Sequence, residues 1–242
     1  MKTRTAILTV AAAALTLAST AHAASTINVK YLGTGAGQNV RLTYKSNTLN
    51  VFAGQLRHDL SGASDGYDWL NGQHRTYCSD LDQYVTSTIK SYTITGVSSL
   101  PGSAPMGESK AALIRSLYAF SAGQEINAAA ANDYATAFQL AVWEIVTDGS
   151  AMAEASSAML TTGQFQARTT GNATLSSSIL NNFTTLLNGA VSVASISSDN
   201  PNVLGISSGS NQGPLLVVPA PGPIALAALG CFAVARRRRD LK

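Results

Sequence analysis

AFQLAVWEI, residues 137–145, is the stretch on which the fold turns. Its apolar residues do not alternate as a strand would require. Positions 139, 142, 143 and 146 instead recur at i, i+3, i+4 and i+7, the stripe of one helix face. Those positions hold Gln139, Val142, Trp143 and Val146. Phe138 and Ile145 widen the apolar side, so the stripe predicts a buried helix with one carboxamide on its core face. Burying an amide without a partner costs roughly 1–3 kcal/mol. Gln139 must therefore be hydrogen-bonded or chemically consumed.

Working outward, Asn132 is the expected N-cap and Asp148-Gly149 the stop, giving a helix over 132–147. Ala111, Leu113, Ile114, Leu117, Tyr118 and Phe120 predict a helix over 109–121. Ile179, Phe183, Leu186 and Leu187 predict another over 176–187. The flanks change period. Ile27, Val29 and Tyr31, then Val40, Leu42 and Tyr44, alternate with polar residues, and Leu49, Val51 and Phe52 follow a Ser-Asn turn. Strands are thus expected between 25 and 60, at Tyr77-Cys78, within 85–97, and near 192–196, 203–207 and 214–218. Residues 61–73 read as a loop whose Tyr67 and Trp69 fold back on the sheet. Residues 149–173 read as loops and short helical turns. The expected fold is α+β: a mostly antiparallel sheet or barrel with an inserted helical subdomain.

The ends carry targeting patterns. Lys2 and Arg4, the apolar run 6–18 and Ala21-His22-Ala23 read as a secretory signal peptide over 1–23, with Ala24 the first mature residue. The other end has three parts: Val218-Pro219-Ala220-Pro221-Gly222, an apolar run 223–235, and the basic cluster Arg236, Arg237, Arg238 and Arg239. As a helix the run measures on the order of 20 Å, and a full span takes ~20 residues. The arginines would stay cytoplasmic by the positive-inside rule. The reading is an exported chain, anchored at the membrane by a short transmembrane helix over 223–242, with its body at the cell surface or outside the cell. The expected divisions are 24–213 for the extracellular domain and 214–222 for the Pro-rich linker.

Lys2, Arg4, the four tail arginines and Lys242 are seven of the 16 basic residues, and Asp240 is one of the 13 acidic ones. The body between the ends therefore holds nine basic against twelve acidic side chains, a net charge of −3. The high isoelectric point belongs to the ends, and no basic surface remains to suggest nucleic acid. No His and Cys cluster has metal-ligand spacing, and Gly33-x-Gly35-x-Gly37 lacks the dinucleotide fingerprint and its βαβ context, and reads as a flexible turn. The sequence therefore calls for neither metal nor cofactor.

Of two cysteines, Cys231 lies in the apolar tail, which leaves Cys78, within TYCSDLDQ (76–83), as the one thiol of the exported body. An unpaired thiol in an oxidising compartment calls for an explanation. A small buried hydrophobe is one. A nucleophile is another, and it would need a base, for which His58 and His74 are the histidines of the mature chain.

Tyr77-Cys78 followed by Phe138-Gln139-Leu140-Ala141-Val142-Trp143 resembles the thioester domain (TQXA type) of bacterial surface adhesins. That family sets a cysteine after an aromatic residue on a strand and a glutamine in a helical apolar-Gln-x-x-apolar-Trp motif. The helix at 110–120 is similar to one the family places between the two. The resemblance spans roughly residues 25–200 and implies a thioester between the Cys78 sulfur and the Gln139 side-chain carbonyl. The thiolate attacks, ammonia leaves, and an amine or hydroxyl on a target protein or polysaccharide later displaces the sulfur. The protein would be an adhesin-like, single-use covalent binder and not an enzyme. Tyr77, Phe138, Val142 and Trp143 would shield or position the bond, and Asp80 and His74 would assist proton transfer. The C-terminal order resembles the PEP-CTERM sorting signal, with Ala220 where that signal commonly has Glu, and implies an exosortase-type sorting enzyme as partner. Two other readings stay open at this level: a non-covalent cell-surface or matrix protein that keeps the fold without the bond, and a cysteine-nucleophile enzyme.

Overall fold

The computed structural model describes residues 24–149, 155–194 and 203–217. The expected signal peptide over 1–23, the Val218-Pro219-Ala220-Pro221-Gly222 motif, the apolar run 223–235 and the arginines at 236–239 lie outside them. Seven strands and three α-helices are present among the described residues. In chain order they are β1 (Thr26–Tyr44), β2 (Asn47–Ser61), β3 (Gly72–Cys78), β4 (Lys90–Thr95), α1 (Gly107–Ser121), α2 (Asn132–Thr147), β5 (Phe165–Thr169), α3 (Ser177–Ala194), β6 (Val203–Ser207) and β7 (Pro214–Val217). No helix of the described residues is long and apolar enough to cross a membrane.

All pairings are antiparallel. They run β2-β3-β7-β6-β4-β1, and β1 also pairs with β2, so six strands close a hydrogen-bonded ring. β5 adds to the far half of β1, Val40–Tyr44, beyond the ring. Closure removes the ring's open edges. One apolar cluster, including Ile27, Leu60, Ile94, Ile206 and Leu216, draws on five ring strands and fills the interior. The larger cluster packs the other face of the sheet against the helices. Alternation decides which cluster a residue joins: Leu215 lies in the helix-facing core and its neighbour Leu216 in the ring.

β1 and β2 serve both layers because their hairpin bends. The register shifts between Tyr31 and Gly33 and between Thr34 and Gly37, the signature of β-bulges. At the bend Gly37 (φ 147°) faces Gly54 (φ 153°). A Cβ on Gly54 would strike the Ala36 carbonyl oxygen, and one on Gly37 the Ala53 carbonyl oxygen. Only glycine permits this approach of the two backbones.

α2 crosses that bend. Ala135 through Ile145 are all buried, so the helix is enclosed on every side rather than along one stripe. Its bounds match the sequence expectation, but its cap does not. Ala131 is the N-cap, and the Asn132 side chain instead accepts a hydrogen bond from the Gly37 N–H at 3.1 Å. Gln38 Nε2 donates to Asp133, and Thr136 Oγ1 donates to the Ala53 carbonyl at 3.2 Å. These bonds register α2 on the hairpin. At the other end Lys110 Nζ donates to the carbonyls of Val146 (2.7 Å) and Thr147 (3.0 Å), a cation on unpaired C-terminal carbonyls.

Four further expectations are corrected. Residues 165–169 form β5 rather than loop, because Asp148 Oδ2 accepts from the Gln164 and Phe165 N–H groups and delivers the segment to the edge of β1. Residues 192–194 continue α3 instead of starting a strand. Trp69 does not fold back on the sheet: it stays 44% exposed, whereas Tyr67 packs on the ring core. The domain does not end at 213, since Pro214 and Leu215 pair with Cys78 and Tyr77.

Candidate functional site: the Cys78–Gln139 junction

Cys78 is the last residue of β3, where the strand leaves the sheet beneath α2. Ser79 anchors the exit, with its N–H 3.1 Å and its hydroxyl 2.7 Å from the Gly213 carbonyl. Asp80 then turns the chain, its Oδ1 accepting from the Asp82 N–H at 2.8 Å, a side-chain-closed turn typical of Asp.

Gln139 meets this exit. The Cys78 N–H donates to Gln139 Oε1 at 2.9 Å, and Gln139 Nε2 donates to the Cys78 carbonyl at 2.8 Å. One side chain of α2 thus pairs with both backbone groups of one strand residue, as a neighbouring strand would. Both residues are buried, and Cys78 is a free thiol. The amide predicted to need a partner has the backbone of the very cysteine singled out beside it.

The sulfur has its own polar surroundings. Cys78 Sγ donates to the Asp80 carbonyl at 2.8 Å and accepts from the Asp80 N–H at 3.2 Å. Gln212, from the β6–β7 loop, donates from Nε2 to the same Asp80 carbonyl at 3.0 Å. Burial pushes the Cys78 thiol well above its ordinary range. The Asp80 backbone opposes that shift, the Asp80 carboxylate adds to it, and the nearby Trp143 and Gln212 side chains oppose it. Burial also raises the Asp80 carboxyl, with the nearby Asp82 charge adding to the shift.

A cavity of about 200 Å³ opens onto this junction. Cys78, Gln139, Asp80, Trp143 and Gln212 are among its lining residues, as are Tyr31 and the exposed Tyr84. Of the residues expected to shield the pair, Trp143 lines the cavity. Tyr77, Phe138 and Val142 lie behind it in the core. Phe138 sits between Tyr77 and Tyr118, at ring distances of 4.6 and 4.9 Å, and Tyr77 Oη is tied to the Glu125 carbonyl at 2.8 Å.

The structure brings Asp80 to the pair but not His74. His74 stands four positions before Cys78 along β3, on the order of 13 Å at the strand rise, and its Nε2 lies 2.7 Å from the Leu70 carbonyl. His58 pairs with His74 across β2 and β3, is bonded to Thr76 Oγ1, and is lowered to about 4 by burial. Neither histidine is placed to serve the thiol as a base. The sequence reading missed Gln212, Tyr31 and Tyr84. Gln212 lies 132 residues from Asp80, in a loop rich in Ser, Asn and Gly that carries no periodic signal.

Among the described residues three buried side-chain polar atoms lack hydrogen-bond partners: Tyr118 Oη, Trp143 Nε1 and Glu144 Oε2. Burial, with the charge of Asp148 next, raises Glu144 to about 8. Among the described residues no group of His, Cys, Asp and Glu is arranged to hold a metal ion. No family model, curated protein or solved structure matches this chain.

Proposed function

We propose that the domain forms an internal thioester between Cys78 and Gln139 and uses it to attach covalently to an amine or hydroxyl on a target surface. The observation that carries this reading is the reciprocal pairing of the Gln139 amide with the Cys78 backbone, at 2.9 and 2.8 Å, at the base of an open cavity. The helix holds the carboxamide against the residue that bears the thiol, and such fixed proximity replaces a bimolecular encounter. The sulfur attacks Gln139 Cδ, the thiol proton passes to the departing nitrogen, and ammonia leaves. The charge that develops on Oε1 falls on the Cys78 N–H that already donates to it, the geometry of an oxyanion hole. An incoming amine then forms an amide with Cδ as the C–S bond breaks.

Export by the N-terminal signal and retention by the PEP-CTERM-like tail, with an exosortase-type enzyme as processing partner, complete the proposal: an envelope-anchored, adhesin-like surface protein. The placement of both histidines away from Cys78 favours this reading over a cysteine-nucleophile enzyme.

A second reading is favoured by the same two hydrogen bonds. They satisfy the Gln139 amide without any chemistry, and in that case the protein is a non-covalent surface component in which Gln139 clamps α2 to β3. Intact mass of the exported chain separates the two. The thioester predicts a mass one ammonia below that of the sequence, restored by Cys78→Ala apart from the substitution itself. A wild-type chain at full mass refutes the covalent reading.

A further inference from the structure

Trp143 follows Gln139 by one helical turn, lines the same cavity and is 2% exposed. Its indole N–H is buried and closes no hydrogen bond in the resting state. Buried donors are almost always paired, so an orphan one needs a reason. Trp143 and Gln212 line the cavity together with Cys78. Gln212 Nε2 is anchored on the Asp80 carbonyl, the group that holds the thiol hydrogen, and the Asp80 N–H already points at Sγ. A neutral sulfur is a weak acceptor and needs few donors, whereas a sulfur anion needs several.

We propose that the Asp80 backbone N–H, the Trp143 indole N–H and the Gln212 amide N–H form a pre-built anion hole for the Cys78 sulfur, which receives the electron pair when an amine opens the bond. The inference rests on the thioester reading. The amine nitrogen bonds to Gln139 Cδ, the C–S bond breaks with its electrons on Sγ, and the amine proton ends on sulfur or solvent. Donors fixed in advance at the leaving atom need no reorganisation as charge arrives. Trp143 thereby acquires a chemical role beyond covering the site, and the β6–β7 loop a part in it.

The test uses the mature wild-type chain, Trp143→Phe and Gln212→Met, each treated with methylamine. Trp143→Phe keeps an aromatic ring and removes the donor. Thiol release at fixed pH is expected to slow on the order of tenfold to a hundredfold, the worth of a hydrogen bond to a charged group. In the opened proteins the midpoint of the pH profile of Cys78 alkylation by iodoacetamide should rise by about one pH unit. A loss of packing alone would not move that midpoint upward. Should a variant not fold, the opened wild type still decides: the Trp143 indole proton resonance, separate from that of Trp69, must shift as Cys78 ionises. Wild-type release rates with unmoved midpoints, or an indole resonance constant through the thiol titration, overturn the anion hole alone. A wild-type mass that shows no missing ammonia before treatment overturns the thioester reading and this proposal with it.

Discussion

Opening the proposed cross-link with methylamine should cost the domain about 4 kcal/mol of stability. Cys78 and Gln139 are 61 residues apart in sequence, and the chain between them holds β4, α1 and most of the first half of α2. A bond that closes a loop of that size removes conformational entropy from the unfolded chain. The chain-entropy relation for a covalent cross-link gives about 4 kcal/mol at room temperature. Methylamine is the sharpest perturbation because it breaks the bond without removing either residue. The product keeps a carboxamide at position 139, so Oε1 can still accept from the Cys78 N–H, and the native core is little altered. The assay is urea unfolding of treated and untreated protein, with intact mass recorded on each. For a domain of this size the shift in melting temperature should be roughly 8–16 °C. A mass change on treatment with a stability change below about 1 kcal/mol would refute the reasoning, since a real cross-link of this span must constrain the unfolded chain. No mass change would refute the bond itself.

Three other outcomes follow from the geometry. Gln139→Leu, made in a Cys78→Ala background so that no cross-link is at stake, leaves the N–H and carbonyl of residue 78 buried without partners. It should cost about 2–5 kcal/mol by urea unfolding, from two orphaned backbone groups. Gly54→Ala drives a Cβ into the Ala36 carbonyl at the hairpin bend and should destabilise by more than about 2 kcal/mol, or prevent folding, as read from thermal melts and soluble yield. Glu144 is raised from 4.5 to about 8 in the folded state. The folded protein therefore holds a proton that the unfolded chain has lost across that window, and stability falls as pH rises through it. Glu144→Gln should flatten this dependence, so that its unfolding free energy gains on wild type between pH 4.5 and about 8. A parallel pair of stability profiles would remove Glu144 from the account.

The bounds of α2 were legible in the sequence because a buried helix leaves a 3.6-residue period over 16 residues. The strands on either side of the turn at 45–46 were legible for the corresponding reason, a two-residue alternation, but the single long hairpin was not, since Gly33-x-Gly35-x-Gly37 reads as a turn and β1 runs through it with bulges. β5 was not. Its five residues, Phe165–Thr169, are too few for a period to stand out, and they are a strand because Asp148 hands them to the edge of β1. Trp69 illustrates the opposite error. An aromatic ring in a polar loop suggests burial, yet Tyr67, two residues earlier, takes the place on the ring core. The capping role expected of Asn132 went to Ala131 because the Gly37 N–H, from a strand 95 residues away, claimed the side chain.

By itself the sequence determined that Cys78 is the one thiol between the two ends that read as targeting segments, and that Gln139 lies on the core face of a helix. Both follow from local facts, a residue count and a period. It did not determine that the two meet. That required β3 to end at Cys78, the ring to close so that β7 pins the strand end, and α2 to be registered on the hairpin by bonds from its first turns. Nor did it mark Gln212, whose loop is brought to Asp80 only when β6 and β7 close the ring. Period and composition report which face of an element is apolar. Which atom lies opposite is decided by the summed packing of elements far apart in the chain, and that has no local signature.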